Sequence, residues 1–210
     1  MNNIDHEGIE IVAKLMALAA RTAPKTMGAD LIHSQILTDE EKELIVHKME
    51  ELAEAKRNLL SQKDPRRGEA AWIDWRSDAK AVAKSDLLML IGIQGRKVPN
   101  LNCGGCGFPT CAEMIKAKPL SVIEKDFGGP YCMFRIMDLS IALGSAVKIA
   151  MDLNVDNRMM QKVGIAVLKL DLMKPCDLVI GLPLSASGKN IYFDRLDKIE
   201  AWKILGAKTE

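Results

Sequence analysis

A helix-rich α+β fold built on a small mixed sheet is what this sequence predicts, on three observations. Apolar residues recur at helical spacing over several helix-length stretches. Two short continuous apolar runs have the length of buried strands. Polar segments carrying glycine or proline separate them. At 210 residues the chain has the length of one domain, residues 1–210, with a cysteine-rich segment inserted at 99–132.

The elements follow in order. Ile9, Val12, Ala13, Leu15 and Met16 share one helical stripe over Ile9–Ala20, and Pro24 ends that helix because it disfavours helical geometry at Ala23. Leu31–Leu37 alternates as a strand. Thr38 and Glu41 form a capping box ahead of a helix over Glu40–Leu60, whose apolar side is Leu44, Ile45, Met49, Leu52 and Ala53. Ser61–Gly68 is polar and predicts a loop, Ala70–Ala83 a helix, and Leu87–Ile93 a buried central strand. Pro130 is placed to open a helix to about Leu153, apolar on most sides and so expected deep inside or at a subunit contact. Asn157 is placed to cap a helix through Leu170. Asp177–Leu182 repeats the buried-strand pattern, and Pro183–Asn190 is a loop of small residues.

Composition narrows the function classes. With 29 basic and 28 acidic side chains the net charge is +1, which gives no electrostatic basis for a nucleic-acid or anionic-membrane partner. The apolar run around Leu87–Ile93 is far short of the ~20 residues that span a bilayer. The acidic start of the chain is unlike a secretory signal, so a cytoplasmic, reducing setting is expected. There, thiols are metal ligands or redox groups more often than disulfides.

Four of the five cysteines fall between positions 103 and 132, in the run Cys103-Gly-Gly-Cys106-Gly-Phe-Pro-Thr-Cys111 followed, after twenty residues, by Cys132. A cubane iron–sulfur cluster takes four thiolates, one per iron, and a two-residue spacer lets successive thiolates reach neighbouring irons. Gly104, Gly105 and Gly107 let the backbone close around such a core with N–H groups aimed at its sulfurs, while Phe108 and Pro109 offer an apolar cover. Cys132, in the first turn of the Pro130 helix, is placed as the fourth ligand, because a helix N-terminus favours a thiolate. Structural zinc stays open as an alternative, although zinc sites commonly use two close pairs and only one is present. Cys176, between Pro175 and Asp177, is expected to be a small core residue.

The cysteine run looks like the small [4Fe-4S] module of the B subunit of membrane electron-transport complexes and of corrinoid iron–sulfur proteins. The whole chain resembles more closely a bacterial and archaeal family of ferredoxin domain-containing proteins, through Ala20-Arg-Thr-Ala-Pro-Lys25, Asp138-Leu-Ser-Ile-Ala-Leu-Gly144 and Gly181-Leu-Pro-Leu-Ser-Ala-Ser-Gly-Lys-Asn-Ile-Tyr-Phe-Asp-Arg195. That resemblance implies cluster binding and leaves the activity unassigned.

Outside the cysteines the chain also resembles flavin-dependent nitroreductases, through an opening helix, the Ala23-Pro24-Lys25 turn and the strand that follows it. This resemblance implies a nitroreductase-like α+β fold, a homodimer and an FMN pocket at the subunit interface. Two departures stand out: Lys25 occupies a position where a small polar residue is usual, and the paired arginines are reduced to Arg21. A flavin phosphate wants cations and free backbone N–H groups, which Arg21, Lys25, Ser185, Ser187, Gly188, Lys189 and Arg195 supply if their two loops meet. The second loop is not a nucleotide P-loop, since Pro183 takes the first glycine position and Asn190 replaces Ser/Thr.

His6, His33 and His47 are too scattered for a metal pair, and no serine–histidine–aspartate order with a glycine elbow is present. The expectation is a [4Fe-4S] protein that passes electrons to a redox partner protein or a small-molecule acceptor. The alternatives are a flavin-dependent oxidoreductase fed by the cluster and a zinc-stabilised scaffold.

Overall fold

A computed structural model describes residues 3–120, 126–193 and 196–206. The first helix, α1, spans Asn3–Thr22 and buries Ile9, Val12, Ala13, Met16 and Ala20 as the stripe predicts, while Leu15 turns outward. Strand β1 (Ile32–Ile36) follows, then α2 (Asp39–Ser61), which opens on the expected capping box of Thr38 and Glu41. Helix α3 runs from Pro65 to Ala83, so the predicted Ser61–Gly68 loop shrinks to three residues. Asp64 takes the N-cap, its carboxylate accepting the Arg66 N–H at 3.0 Å, and Pro65 sits at the first helical position where its missing N–H costs nothing.

Strand β2 is Leu87–Ile93, as predicted, and all seven residues are buried. Between it and α5 (Met133–Asp152) lies the cysteine segment, whose one helix among the described residues is α4 (Cys111–Lys116). Helix α5 begins three residues after Pro130, because Cys132 is still extended and gives its N–H to Gly95 O at 2.9 Å. Asp156–Asn157 form β3, and α6 is Gln161–Lys169. Asn157 therefore pairs in the sheet, opposite Leu184, and the N-cap of α6 is Met160. Strand β4 is Leu178–Ser185, taking in the first part of the predicted Pro183–Asn190 loop, and α7 is Leu196–Ile204.

The sheet has the order β1-β2-β4-β3 and is antiparallel at every pairing, which corrects the expected mixed sheet. Continuous apolar runs commonly mark parallel strands, but here burial on both faces arises because helices cover both sides. Leu87, Met89, Ile91 and Ile93 face the layer of α1 and α5, whereas Leu88 and Leu90 face α2, α3 and α6. Helix α6 lies so close to β4 that a Cβ on Gly164 would stand 1.7 Å from Val179 O, and one on Gly181 would stand 2.2 Å from Val163 Cγ1.

Helix α7 has little apolar periodicity and was not anticipated. A buried charge cluster holds it. Lys198 bonds Asp78 at 2.9 and 3.1 Å and pairs with Asp74 at 2.9 Å, while Lys162 of α6 reaches Asp78 at 2.7 Å and also bonds Asp74. Burial alone would raise the Asp78 carboxyl, but the two lysines hold it at about 2, below its ordinary 3.8. No helix among the described residues is long and apolar enough to cross a membrane.

Two outcomes follow for stability. Gly164→Ala must push α6 off β4, so chemical denaturation should show a loss of at least about 2 kcal/mol. Because folding depresses the Asp78 carboxyl, its stabilisation is present above the ordinary value of 3.8 and is lost as pH falls through about 2. Urea titrations from pH 5 down should lose about 2 kcal/mol from this group, a loss missing from Asp78→Asn.

Candidate metal centre

The cysteine segment leaves the end of β2 under tight control. Asp177, at the entry to β4, accepts the N–H groups of Gly95 and of Arg96, the latter at 3.1 Å. Burial raises the Asp177 carboxyl, with the two N–H bonds and the Arg96 charge opposing it. The Arg96 guanidinium donates to Pro130 O at 3.0 Å and to Ile115 O and Ala117 O at 2.9 Å. One side chain thereby ties the end of α4 to the chain entering α5. Tyr131 spans the same junction, donating to Asp177 O at 2.9 Å.

Asn102 sits with φ +48° and bonds Cys111 in both directions: its Oδ1 accepts the Cys111 N–H at 2.9 Å, and its own N–H reaches Cys111 Sγ at 3.4 Å. The residue before Cys103 is therefore held beside Cys111. The Gly107 N–H closes a turn on Gly104 O at 2.9 Å, with positive φ at both glycines (+71° and +86°). Gly105 rests on Met133, since a Cβ there would meet Met133 Sδ and Cε at 2.8 Å. The loop carrying Cys103 and Cys106 thus lies against the residue that follows Cys132.

All five cysteines are free thiols: Cys103 is exposed, Cys106 half-buried, and Cys111, Cys132 and Cys176 buried. Cys111 is the first residue of α4 and Cys132 the N-cap of α5. Among the described residues no three His, Cys, Asp or Glu side chains stand ready to hold a metal ion. The backbone converges while the sulfurs are not gathered. Phe108 is half-buried and Pro109 exposed, so the expected apolar cover is partial. Cys176 packs against Gly92, and burial, with Asp177 beside it, pushes its thiol up to about 12, so it resists becoming a thiolate.

Comparison with known proteins bears on this segment and on the whole chain. Residues 98–118 match the family described as "Putative Fe-S cluster", and residues 128–195 match "Uncharacterized protein containing a ferredoxin domain". A protein of Archaeoglobus fulgidus is 44% identical over 193 residues, covering 92% of this chain and 95% of its own. The chain belongs to this ferredoxin-domain family. Among solved structures, a BluB-like flavoprotein from Clostridium difficile is 16% identical with a TM-score of 0.52, over 86% of this chain and 82% of its own. A nitroreductase with bound FMN from Desulfitobacterium hafniense is 12% identical with a TM-score of 0.52, over 86% and 79%. The ferredoxin-domain protein therefore has the nitroreductase fold, and at such identities the likeness is one of fold.

The residues expected around a flavin phosphate are not brought together within one chain. Ile32 pairs with Ile93 and Leu184 with Leu87, so the Arg21–Lys25 turn and the Ser185–Lys189 loop lie at opposite ends of β2, about 20 Å apart. Lys25 is also committed elsewhere. Its buried Nζ donates to Ala23 O at 2.9 Å, to Arg21 O and to Ala20 O at 3.4 Å, closing the C-terminus of α1 where carbonyls lack partners. Arg21 pairs with Asp30. Ser185 is buried with its Oγ 3.4 Å from Ser187 Oγ, and Ser187 donates to Lys189 O at 2.6 Å. Gly188 faces open space, Lys189 lines a cavity with Lys80 and Lys84, and Arg195 lies outside the described residues.

Sequence reasoning missed Asn102, Arg96 and Asp177, which set the shape of the segment, since none carries a local pattern. It also missed α4, although Thr110 and Glu113 have capping spacing and the Thr110 hydroxyl accepts the Glu113 N–H at 3.2 Å. Replacing Asn102 by Ala leaves the Cys111 N–H without its acceptor in a left-handed backbone, a cost of about 2 kcal/mol visible in denaturation curves. Asn102→Gly should recover the conformational part of that loss only.

Proposed function

We propose that this ferredoxin-domain protein binds a [4Fe-4S] cluster through Cys103, Cys106, Cys111 and Cys132 and exchanges single electrons with a redox partner protein or a small-molecule acceptor. The observation that carries the reading is the convergence of backbone: Asn102, the neighbour of Cys103, is bonded to Cys111, and Gly105 rests on the residue after Cys132. Positive φ at Gly104 and Gly107 gives Cys103 and Cys106 the freedom to turn their sulfurs toward the buried thiols. When bound, the cluster would supply one-electron chemistry at a potential set by its charge, burial and hydrogen bonds. The chain's share is to hold the thiolates, aim loop N–H groups at sulfur and keep one edge near the surface at Cys103.

A second reading keeps a flavin. The nitroreductase-fold relative contains FMN, and a cavity of about 690 Å³ opens beside β3, lined by Asn154, Asp156, Asn157, Arg158 and Phe193. It would take the place of the phosphate set expected from the sequence. We also infer a homodimer, because α1 and α5 leave Ile11, Leu15, Leu18, Ile136, Met137 and Ile141 exposed along their lengths.

Iron and acid-labile sulfide assays on oxygen-free protein test the main reading, with ~4 of each expected per chain. Cys132→Ser should lower both contents, while Cys176→Ser should leave them unchanged. A colourless protein carrying zinc and no sulfide would reduce the site to a structural metal. Yellow fluorescence released on heating would establish the flavin, and its absence would remove that reading.

A further inference from the structure

The surface around the cysteine loop has a distinct charge pattern. Lys97, Lys116 and Lys118 are exposed and have no ion-pair partner among the described residues, and Glu113, hydrogen-bonded to Thr110, is the one exposed carboxylate of the described segment 97–120. All three stand on backbone that is tied to the cysteine-bearing elements. The Lys97 carbonyl accepts from Arg135 at 2.8 Å, in the first turn after Cys132. Lys116 ends α4, which Cys111 begins, about 8 Å along the helix. Lys118 follows Ala117, which Arg96 clips to the Pro130 turn. On the same segment Leu101, two residues before the exposed Cys103, and Ile115, next to Lys116 on α4, are exposed.

The chain's net charge of +1 makes this imbalance a local feature. Other cations are spent on neighbours: Lys162 and Lys198 on Asp74 and Asp78, and Lys80 on Asp197. We propose that the Cys103 face docks an acidic one-electron carrier protein with a small apolar centre, the rim lysines steering its carboxylates and Leu101 and Ile115 meeting its apolar patch. This rests on the iron–sulfur reading above. Small, charge-steered encounters of this kind are the pattern of transient redox contacts, in which charge complementarity sets the association rate more than the lifetime.

The test uses the full, cluster-loaded chain and two carriers of opposite charge, reduced flavodoxin (acidic) and ferric horse cytochrome c (basic). With flavodoxin one electron leaves the carrier and enters the cluster, so the carrier is oxidised by one electron and the cluster reduced by one. With cytochrome c the cluster, first reduced with dithionite and freed of excess, gives one electron to the ferric haem iron and is itself oxidised by one, and neither step makes or breaks a bond. Stopped-flow rates with flavodoxin should fall about tenfold as salt rises from about 20 to about 300 mM. Lys97→Glu, Lys116→Glu and Lys118→Glu combined should slow the low-salt rate at least about tenfold with iron content unchanged, and should speed the cytochrome c reaction. Flavodoxin rates insensitive to salt and to the substitutions would overturn the docking proposal while leaving the cluster intact. A chain that holds no iron would overturn the iron–sulfur reading and this one with it.

Discussion

Everything in this fold depends on a central pair of strands, β2 and β4, that has no solvent face. All seven residues of β2 are buried, and alternate ones point into two separate apolar layers. Helices must therefore lie on both sides, and they come close: α6 approaches β4 where glycines stand at 164 and 181. Antiparallel pairing is compatible with this because the connections, not the strand direction, determine whether helices cover a face. The same enclosure fixes where the chain leaves the sheet. At the end of β2, Asp177 grips two successive N–H groups, so the cysteine segment starts from a set position.

Buried charges then choose one arrangement among those that apolar packing would allow. Arg135 and Asp138 pair at 2.8 Å in the first turns of α5, both almost fully enclosed. Asp138 also accepts the N–H and hydroxyl of Thr26 at 2.8 and 2.9 Å, while Arg135 reaches the Lys97 carbonyl. One ion pair thus locks the turn after α1 to the start of α5 and to the base of the cysteine segment. The Asp74–Asp78–Lys162–Lys198 cluster does the same for α3, α6 and α7. A buried pair gains little over an apolar substitute in net energy, but losing one partner leaves a stranded charge, and this penalises alternative packings. Lys25 shows how such commitments redirect function: a cation that suits a phosphate is used instead to close the end of α1.

Legibility in the sequence was uneven for physical reasons. Strand β2, the capping box of α2 and the apolar stripe of α1 were evident because each is a local pattern of burial or backbone bonding. The polarity of Ser61–Gly68 masks the start of α3, although Asp64-Pro65 carries a helix-opening signal. The strand role of Asn157 depends on an edge formed by β4, and α7 depends on carboxylates more than a hundred residues earlier in the chain, so neither leaves a local trace. The nitroreductase likeness foresaw the fold, yet it could not show that the two supposed phosphate loops fall at opposite ends of one strand.

By itself the sequence determined which thiols are available: four cysteines between positions 103 and 132, their spacing and the glycines between them are matters of composition and order. It also determined that β2 is buried, because a continuous apolar run of that length has no soluble alternative. Only the tertiary structure decided which backbone lies beside which thiol. Asn102 meets Cys111, Gly105 meets Met133, and Arg96 spans from α4 to Pro130 through contacts whose geometry is set when helices pack on the two faces of the sheet. Chain order carries the chemistry of each group, whereas distance and direction between groups arise only when burial leaves a single way to close the core.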